Sequence, residues 1–156
     1  MKLFKKITLV VIMLVVAMLV TGCGNVKGSL EEIMEKVYAN IPEDQRPMML
    51  TNTEVTEENI EYFLGTKDIE YEEALASESG VGSIAHSVVL VRTKKNANIE
   101  AIKDKIEKNV DPRKWVCVGV EKDDIIVENE GDLIILIMVE DEATREKLED
   151  AFDNLK

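Results

Sequence analysis

Two apolar runs constrain the fold of this chain more than any other feature of its sequence. The first, "VVLV" over residues 88–91, is β-branched and aliphatic throughout, and the second is "LIILIMV" over residues 133–139. Short apolar runs bounded by polar residues are typical of strands, and we interpret the first as buried on both faces. The sequence therefore predicts a β-sheet that contains both runs.

Helical spacing of apolar residues predicts four helices around these strands. Ser29 and Glu32 form a capping-box signature, in which each side chain bonds a backbone N–H at the helix start. Thr56 and Gly65 are typical of the first and last positions of a second helix, and Asn98 is a suitable N-cap for the third. The predicted helices cover residues 29–41, 56–65, 98–110 and 141–156.

The connections between strands predict the fold class. Three apolar runs, "VCVGV", "DIIVEN" and "DLIILIMV", are separated by short polar turns and therefore predict an antiparallel meander. The stretch "DIEYEEALAS" over residues 68–77 is compatible with a helix or a strand, and we interpret it as an edge strand. We expect an α+β fold: a two-layer sandwich with a mostly antiparallel sheet and helices on one face, ferredoxin-like or a permuted variant.

The N-terminus has the three parts of a secretory signal peptide. Lys2, Lys5 and Lys6 precede an apolar stretch over residues 7–20, and small residues follow it. The stretch is shorter than the roughly 20 apolar residues of a membrane span, and an uncleaved anchor is the alternative. The segment Val20-Thr21-Gly22-Cys23 resembles the lipobox of bacterial lipoproteins, in which the cysteine thiol is diacylated and the chain is then cut before it.

This resemblance predicts three segments. Residues 1–22 are a signal peptide, residues 23–28 are the lipidated Cys23 and a tether, and residues 29–156 form one α+β domain. The five tether residues after Cys23 reach at most about 18 Å. We expect the domain on the outer face of the cell membrane, where two acyl chains suffice for stable anchoring because each buried methylene contributes about 0.8 kcal/mol.

The charge of the chain limits its partners. The formal net charge is −12, and loss of the three lysines of the leader makes it −15. Nucleic acid and the surface of an anionic bilayer both repel such a domain. We expect the membrane as a partner through the lipid on Cys23, a cell-envelope protein rich in Lys or Arg as a further partner, and no nucleic acid.

Few residues are candidates for chemistry. Cys117 lies among apolar neighbours, and we interpret it as a small buried hydrophobe. His86, the only histidine, shares a strand face with Val88 and Leu90. We interpret it as a core or sheet-end residue, and a general base or ligand group is the alternative. Ser87 points to the opposite face, so His86 and Ser87 do not form a catalytic dyad.

Metal binding has weak support in the sequence. One histidine and one apolar-flanked thiol do not supply the three or four ligands of a zinc site. The acidic clusters at residues 121–124 and 128–132 have carboxylates that calcium prefers. A hairpin turn with Gly131 at positive φ explains the second cluster better. We therefore predict no metal and no cofactor.

Several stretches resemble a family of small lipoproteins, chiefly of clostridial-type Gram-positive bacteria, known as domain of unknown function 4358. They include "SLEEIMEKVY", "TEENIEYFLG", "SIAHSVVLVR" and the block "DPRKWVCVGVEKDDIIVENEGDLIILIM" over residues 111–138, which is the most specific. The resemblance covers about residues 29–156. It implies a single-domain lipoprotein of the cell envelope and supplies no catalytic residue.

The sequence thus favours a non-enzymatic, lipid-anchored interaction or accessory domain. The alternative is a small-ligand-binding or hydrolytic domain that uses His86 with nearby carboxylates. Calcium-dependent folding is a third, minor option.

Overall fold

A computed structural model describes residues 25–155. Five strands form one sheet: β1 (Leu50–Glu54), β2 (Tyr71–Ser79), β3 (His86–Thr93), β4 (Ile126–Glu130) and β5 (Leu133–Val139). Within residues 25–155, four α-helices accompany it: α1 (Leu30–Val37), α2 (Ile60–Leu64), α3 (Ile99–Asn109) and α4 (Glu142–Asp153). The strand order is β1-β2-β3-β5-β4, and each neighbouring pair is antiparallel. The predicted α+β class with an antiparallel sheet is confirmed.

Side-chain caps begin α1 and α3 where the sequence predicts them. The Ser29 hydroxyl accepts a hydrogen bond from the backbone N–H of Glu32 at 3.3 Å, and the Glu32 carboxylate accepts one from the N–H of Ser29. Asn98 accepts a hydrogen bond from the N–H of Ala101 at 3.1 Å. These contacts satisfy backbone donors that have no partner inside the helix.

The second helix begins later than predicted. Thr56 accepts a hydrogen bond from the N–H of Glu58 and belongs to a turn, and α2 itself begins at Ile60. Its C-terminal end agrees with the prediction, because Gly65 is left-handed with φ 72°. A Cβ on Gly65 would collide with the backbone of Asn109, so glycine is also required there by the close approach of the end of α3.

Helices cover both faces of the sheet, which corrects the predicted arrangement of two layers with helices on one face. Val88 and Leu90 of β3 pack with α1 and α4, whereas Val89 and Val91 pack with α2 and α3. Every residue of β5 is buried as well. A strand that is apolar on both sides must be covered on both sides, so the outcome is a three-layer arrangement with the sheet in the middle.

The strand connections confirm a split β-α-β unit and correct one strand position. Strands β3 and β4 run parallel, α3 connects them, and β5 lies between them in the opposite direction. The hairpin between β4 and β5 has Gly131 at φ 60°, as predicted. The strand predicted near residue 70 is not an edge strand: β2 lies between β3 and β1, and β1 is an edge strand that the sequence analysis did not predict.

The run "VCVGV" is a loop and not a strand. The N–H of Val120 donates to the carbonyl of Pro112 at 2.9 Å, which folds the segment back on itself. A Cβ on Gly119 would lie 2.6 Å from the same carbonyl oxygen, so this fold depends on glycine. Cys117 is exposed and has φ 64°. The prediction that Cys117 is buried is therefore wrong, because the loop turns its thiol outward.

The chain joins the domain at the end of the sheet opposite His86. The guanidinium of Arg92, near the end of β3, donates to the carbonyls of Val26 at 2.9 Å and Gly28 at 3.0 Å. Val26 is itself buried and belongs to the core cluster on the face that α1 and α4 cover. The predicted tether is accordingly shorter, since residues 26–28 lie on the domain. We call the end of the sheet where residues 26–28 lie the Arg92 end, and the opposite end the His86 end.

Candidate functional site

His86 is the first residue of β3 and is buried, with 3% of its surface exposed. Its Nε2 atom is hydrogen-bonded to the hydroxyl of Tyr38 at 2.7 Å, and the two rings lie 5.9 Å apart. Tyr38 is the residue that ends α1. Position and burial agree with the interpretation of His86 as a sheet-end residue, and the phenol gives its ring a partner.

Burial favours the uncharged form of both members of this pair. It lowers the pKa of His86 to about 4 and raises the pKa of Tyr38 above its usual range. A general base works best when its pKa is close to the working pH. An imidazole with a pKa of about 4 is a weak base at pH 7, so the pair is better suited to hydrogen bonding than to proton abstraction.

A cleft of about 530 Å³ lies beside His86. Ile84 and Pro47 contribute apolar walls, and three consecutive acidic residues, Glu140–Glu142, precede and begin α4. Asp141 accepts a hydrogen bond from the N–H of Thr144 at 2.8 Å. Hydrogen bonding with the Thr144 side chain, and then with its backbone N–H, lowers the pKa of the Asp141 carboxyl. The volume falls in the range of small-ligand sites. The described residues that line the cleft include no Lys or Arg.

A second polar cluster lies on the opposite face of the same end of the sheet. The ammonium group of Lys114 is 2.8 Å from a carboxylate oxygen of Glu78 and donates to the Ser87 hydroxyl at 3.1 Å. The Lys114 side chain is only 3% exposed. Its nitrogen also lies 4.4 Å from the ring centre of Tyr62 and 5.1 Å from that of Trp115, which are cation–π distances.

The electrostatics of this second cluster are those of a buried ion pair. Burial lowers the pKa of Lys114, and the carboxylate of Glu78 opposes that effect. Burial, together with the negative charge of Glu78, raises the pKa of Tyr62 to about 12. A serine beside a lysine is one arrangement of a nucleophile with its base. Ser87, however, has no exposed surface, so its hydroxyl is not accessible to a substrate in this conformation.

The structure brings together few of the residues that the sequence analysis selected. His86 and Ser87 point to opposite faces, as predicted, and each has a partner that the sequence did not reveal. Cys23 lies outside the described residues. Within residues 25–155, no group of three or more His, Cys, Asp or Glu side chains has the arrangement of a metal site.

The Lys114 cluster has no short motif that would reveal it. Its members come from α2, β2, β3 and the loop after α3, and residues 78 and 114 are far apart in the sequence. The only local signal is the register of adjacent strands, which pairs Glu78 with Ser87. The cluster therefore becomes visible only when the sheet is assembled.

Comparison with known proteins gives no match: no protein-family model, no curated protein and no solved structure is similar enough to the chain to be assigned to it. The resemblance to the lipoprotein family thus stays a prediction. In the part of the chain that the structure describes, no helix has the length and apolar character needed to cross a membrane.

Proposed function

We propose that this chain is a lipid-anchored, extracytoplasmic bacterial lipoprotein of the family known as domain of unknown function 4358. Its folded part is a non-enzymatic interaction or accessory domain of the cell envelope. The basic start, apolar stretch and lipobox-like segment ending at Cys23 support the anchor. The acidic domain is then held at the membrane by acyl chains rather than by surface charge.

The place where residues 26–28 join the folded domain is the observation that carries this proposal. Because Arg92 holds Val26 and Gly28, the lipidated residue would be three residues from the folded domain, a distance of at most about 11 Å. The eight residues of β3 separate the two ends of the sheet by about 24 Å. The Arg92 end then faces the membrane, and the His86 end faces outward, where a protein partner can reach it.

The polar clusters support a binding role rather than a catalytic one. His86 is neutral and paired with a phenol, and Ser87 and Lys114 are buried. Neither arrangement combines an exposed nucleophile with a base whose pKa suits neutral pH. These features therefore support a binding surface better than they support a catalytic site.

Metabolic labelling tests the anchor. The native host is grown with an alkyne analogue of palmitate, and the chain is purified and tested for the label. We expect label on the wild type and on the Cys117→Ser variant, and none on the Cys23→Ser variant. Label that survives the Cys23→Ser change, or is absent from all three chains, contradicts the anchor.

Two further experiments test the placement and the partner. Cys117 is exposed, so a membrane-impermeant maleimide should label it in intact cells, and the Cys117→Ser variant should lose that label. Crosslinking in whole cells should join the chain to an envelope protein. Recovery of the chain alone, or only with itself, counts against an interaction domain.

The alternative is a small-ligand-binding or hydrolytic role at the cleft beside His86. The specific observation in its favour is that the cleft reaches His86, which has the Tyr38 hydroxyl within hydrogen-bond distance. A His86→Gln variant separates the two proposals. An envelope phenotype identical to that of a deletion strain would favour the cleft, whereas a normal phenotype favours the interaction domain.

A further inference from the structure

The His86 end has exposed apolar side chains around a single loop. Met48 and Met49 are 70% and 68% exposed, and Val116 is 66% exposed. The loop over residues 80–85 connects them: the N–H of Gly80 donates to the carbonyl of Met49, and the carbonyl of Gly82 accepts from Val116. Exposed methionines next to one another are adaptable apolar contacts and are common on binding surfaces.

The backbone holds these methionines in an outward position. Met49 has φ 54°, a left-handed conformation that costs free energy for a residue with a side chain. The Ser79 hydroxyl donates to the carbonyl of Met48 at 2.8 Å, and Gly80 bonds the carbonyl of Met49 at 3.0 Å. Hydrogen bonds thus hold the backbone of the pair in this conformation.

The same loop forms a wall of the acidic cleft. Ile84 lies in that wall, and Pro47, which precedes the methionine pair, also lines the cleft. The carboxylates of Glu140, Asp141 and Glu142 are on exposed residues at the rim. The apolar pair and the acidic cleft are therefore adjacent parts of one surface, which we call the Met48–Glu142 surface.

The basic residues nearest to this surface offset its negative charge only in part: Lys147 and Arg145 attract the carboxylate of Asp141. Arg46 donates to the carbonyls of Tyr38 and Ile41, and Arg145 donates to the carbonyl of Val139 and pairs with Asp124 at 2.9 Å. The start of α4 carries a partial positive charge, but the cap by Asp141 and the charge of Glu142 already balance it. Among the described residues that line the cleft itself, Glu140, Asp141 and Glu142 contribute carboxylates and no Lys or Arg is present.

We infer that the Met48–Glu142 surface binds a segment of a partner protein in which lysine or arginine residues stand next to aliphatic ones. The carboxylates attract the cations, and the methionines with Pro47 accept the apolar side chains. Under the proposed anchor this surface is on the outward side of the domain, and the partner is then an envelope protein. The identification of the partner as an envelope protein rests on the proposed function, whereas the binding chemistry does not.

A peptide titration tests the inference. The full chain in mild detergent, at about 0.15 M salt to screen long-range attraction, is titrated with a short blocked peptide that alternates lysine and leucine. We expect saturable binding at one site. A peptide with glutamate in place of lysine, and one with serine in place of leucine, should bind at least about tenfold more weakly.

Matched variants locate the site. The Glu140→Gln/Glu142→Gln pair leaves the helix cap intact and should weaken binding by roughly tenfold. The Glu57→Gln/Glu58→Gln pair makes the same change in net charge at the Arg92 end and should leave binding unchanged. A Met48→Ser/Met49→Asn variant, in which asparagine tolerates the left-handed backbone, should also bind more weakly.

Several results overturn the inference. They are the absence of peptide binding, equal losses in both glutamine pairs, or no effect of the methionine changes. Self-association in sedimentation that disappears in the methionine variant would instead assign the surface to a second copy of the chain. The titration does not require the lipid, so it tests the surface independently of the anchor. A chain isolated from the native host that has no acyl group but binds the peptide would refute the anchor and leave the binding surface in place.

Discussion

Two polar clusters lie at the His86 end, and adjacent residues of β3, His86 and Ser87, each belong to one of them. The clusters differ in charge and in their access to solvent. His86 and Tyr38 form a neutral pair beside an open cleft. Lys114 and Glu78 form an ion pair that aromatic rings cover. The difference shows how one strand can carry two kinds of buried polar group. The His86–Tyr38 pair is uncharged, whereas Lys114 and Glu78 form a pair of opposite charges.

The comparison predicts that the charged cluster is the more sensitive to loss of one member. Lys114→Met leaves the carboxylate of Glu78 buried without its partner, and we expect a loss of about 3–5 kcal/mol in the free energy of unfolding, measured in urea. The double variant Lys114→Met/Glu78→Leu removes both charges and should recover most of that loss. A single variant that costs less than about 1 kcal/mol would show that the pair is not effectively buried.

The neutral His86–Tyr38 pair should affect the pH dependence of the free energy of unfolding. The pKa of His86 is about 4 in the folded chain against 6.5 when unfolded, so below pH 6.5 the unfolded chain binds the additional proton. The contribution to stability is complete above pH 6.5 and falls by roughly 3 kcal/mol as the pH decreases to 4.

Denaturation of the wild type and of a His86→Gln variant across this pH range isolates the effect, because the carboxylates titrate in both. Stability curves of the two chains should diverge only below pH 6.5. Parallel curves would mean that His86 keeps an ordinary pKa in the folded chain and is more accessible than the structure shows.

Removal of the Tyr38 hydroxyl should have a smaller effect. Tyr38→Phe keeps the ring and leaves Nε2 of His86 without its partner, which we expect to cost about 1–2 kcal/mol in the free energy of unfolding. Thermal denaturation at neutral pH measures it. An unchanged midpoint would indicate that water replaces the phenol, and that the cleft reaches further toward α1.

The smallest effect is expected at Ser87. Ser87→Ala removes one hydrogen bond to Lys114 and keeps the ion pair with Glu78, so the cost should be at most about 1 kcal/mol. The same variant also checks for chemistry at this position. A fluorophosphonate probe should label neither chain, and label on the wild type that disappears in the variant would show that Ser87 is a reactive nucleophile.

The sequence predicted those parts of the fold that depend on local patterns. The capping box at Ser29, the cap at Asn98 and the positive φ at Gly131 each follow from side chains and turns within a few residues. Strand β3 followed from its continuous apolar run. That run is apolar on both faces, and the three-layer arrangement follows from this property if it is applied to the whole fold.

The parts that escaped prediction depend on distant contacts or weak patterns. Strand β1, "LTNTE", is mostly polar and exposed, so it shows no apolar alternation. The loop that exposes Cys117 is closed by a hydrogen bond from the N–H of Val120 to the carbonyl of Pro112. Its apolar sequence is also typical of a strand. The Lys114 cluster draws on four segments of the chain.

Mass spectrometry of the chain from its native host is the most direct test of the anchor at Cys23, on which the outward orientation of the His86 end depends. We expect the N-terminal peptide to begin at Cys23 and to carry the added mass of a diacylglyceryl group on its sulfur. A chain that retains Met1, or that begins at Cys23 without acyl mass, would contradict the anchor.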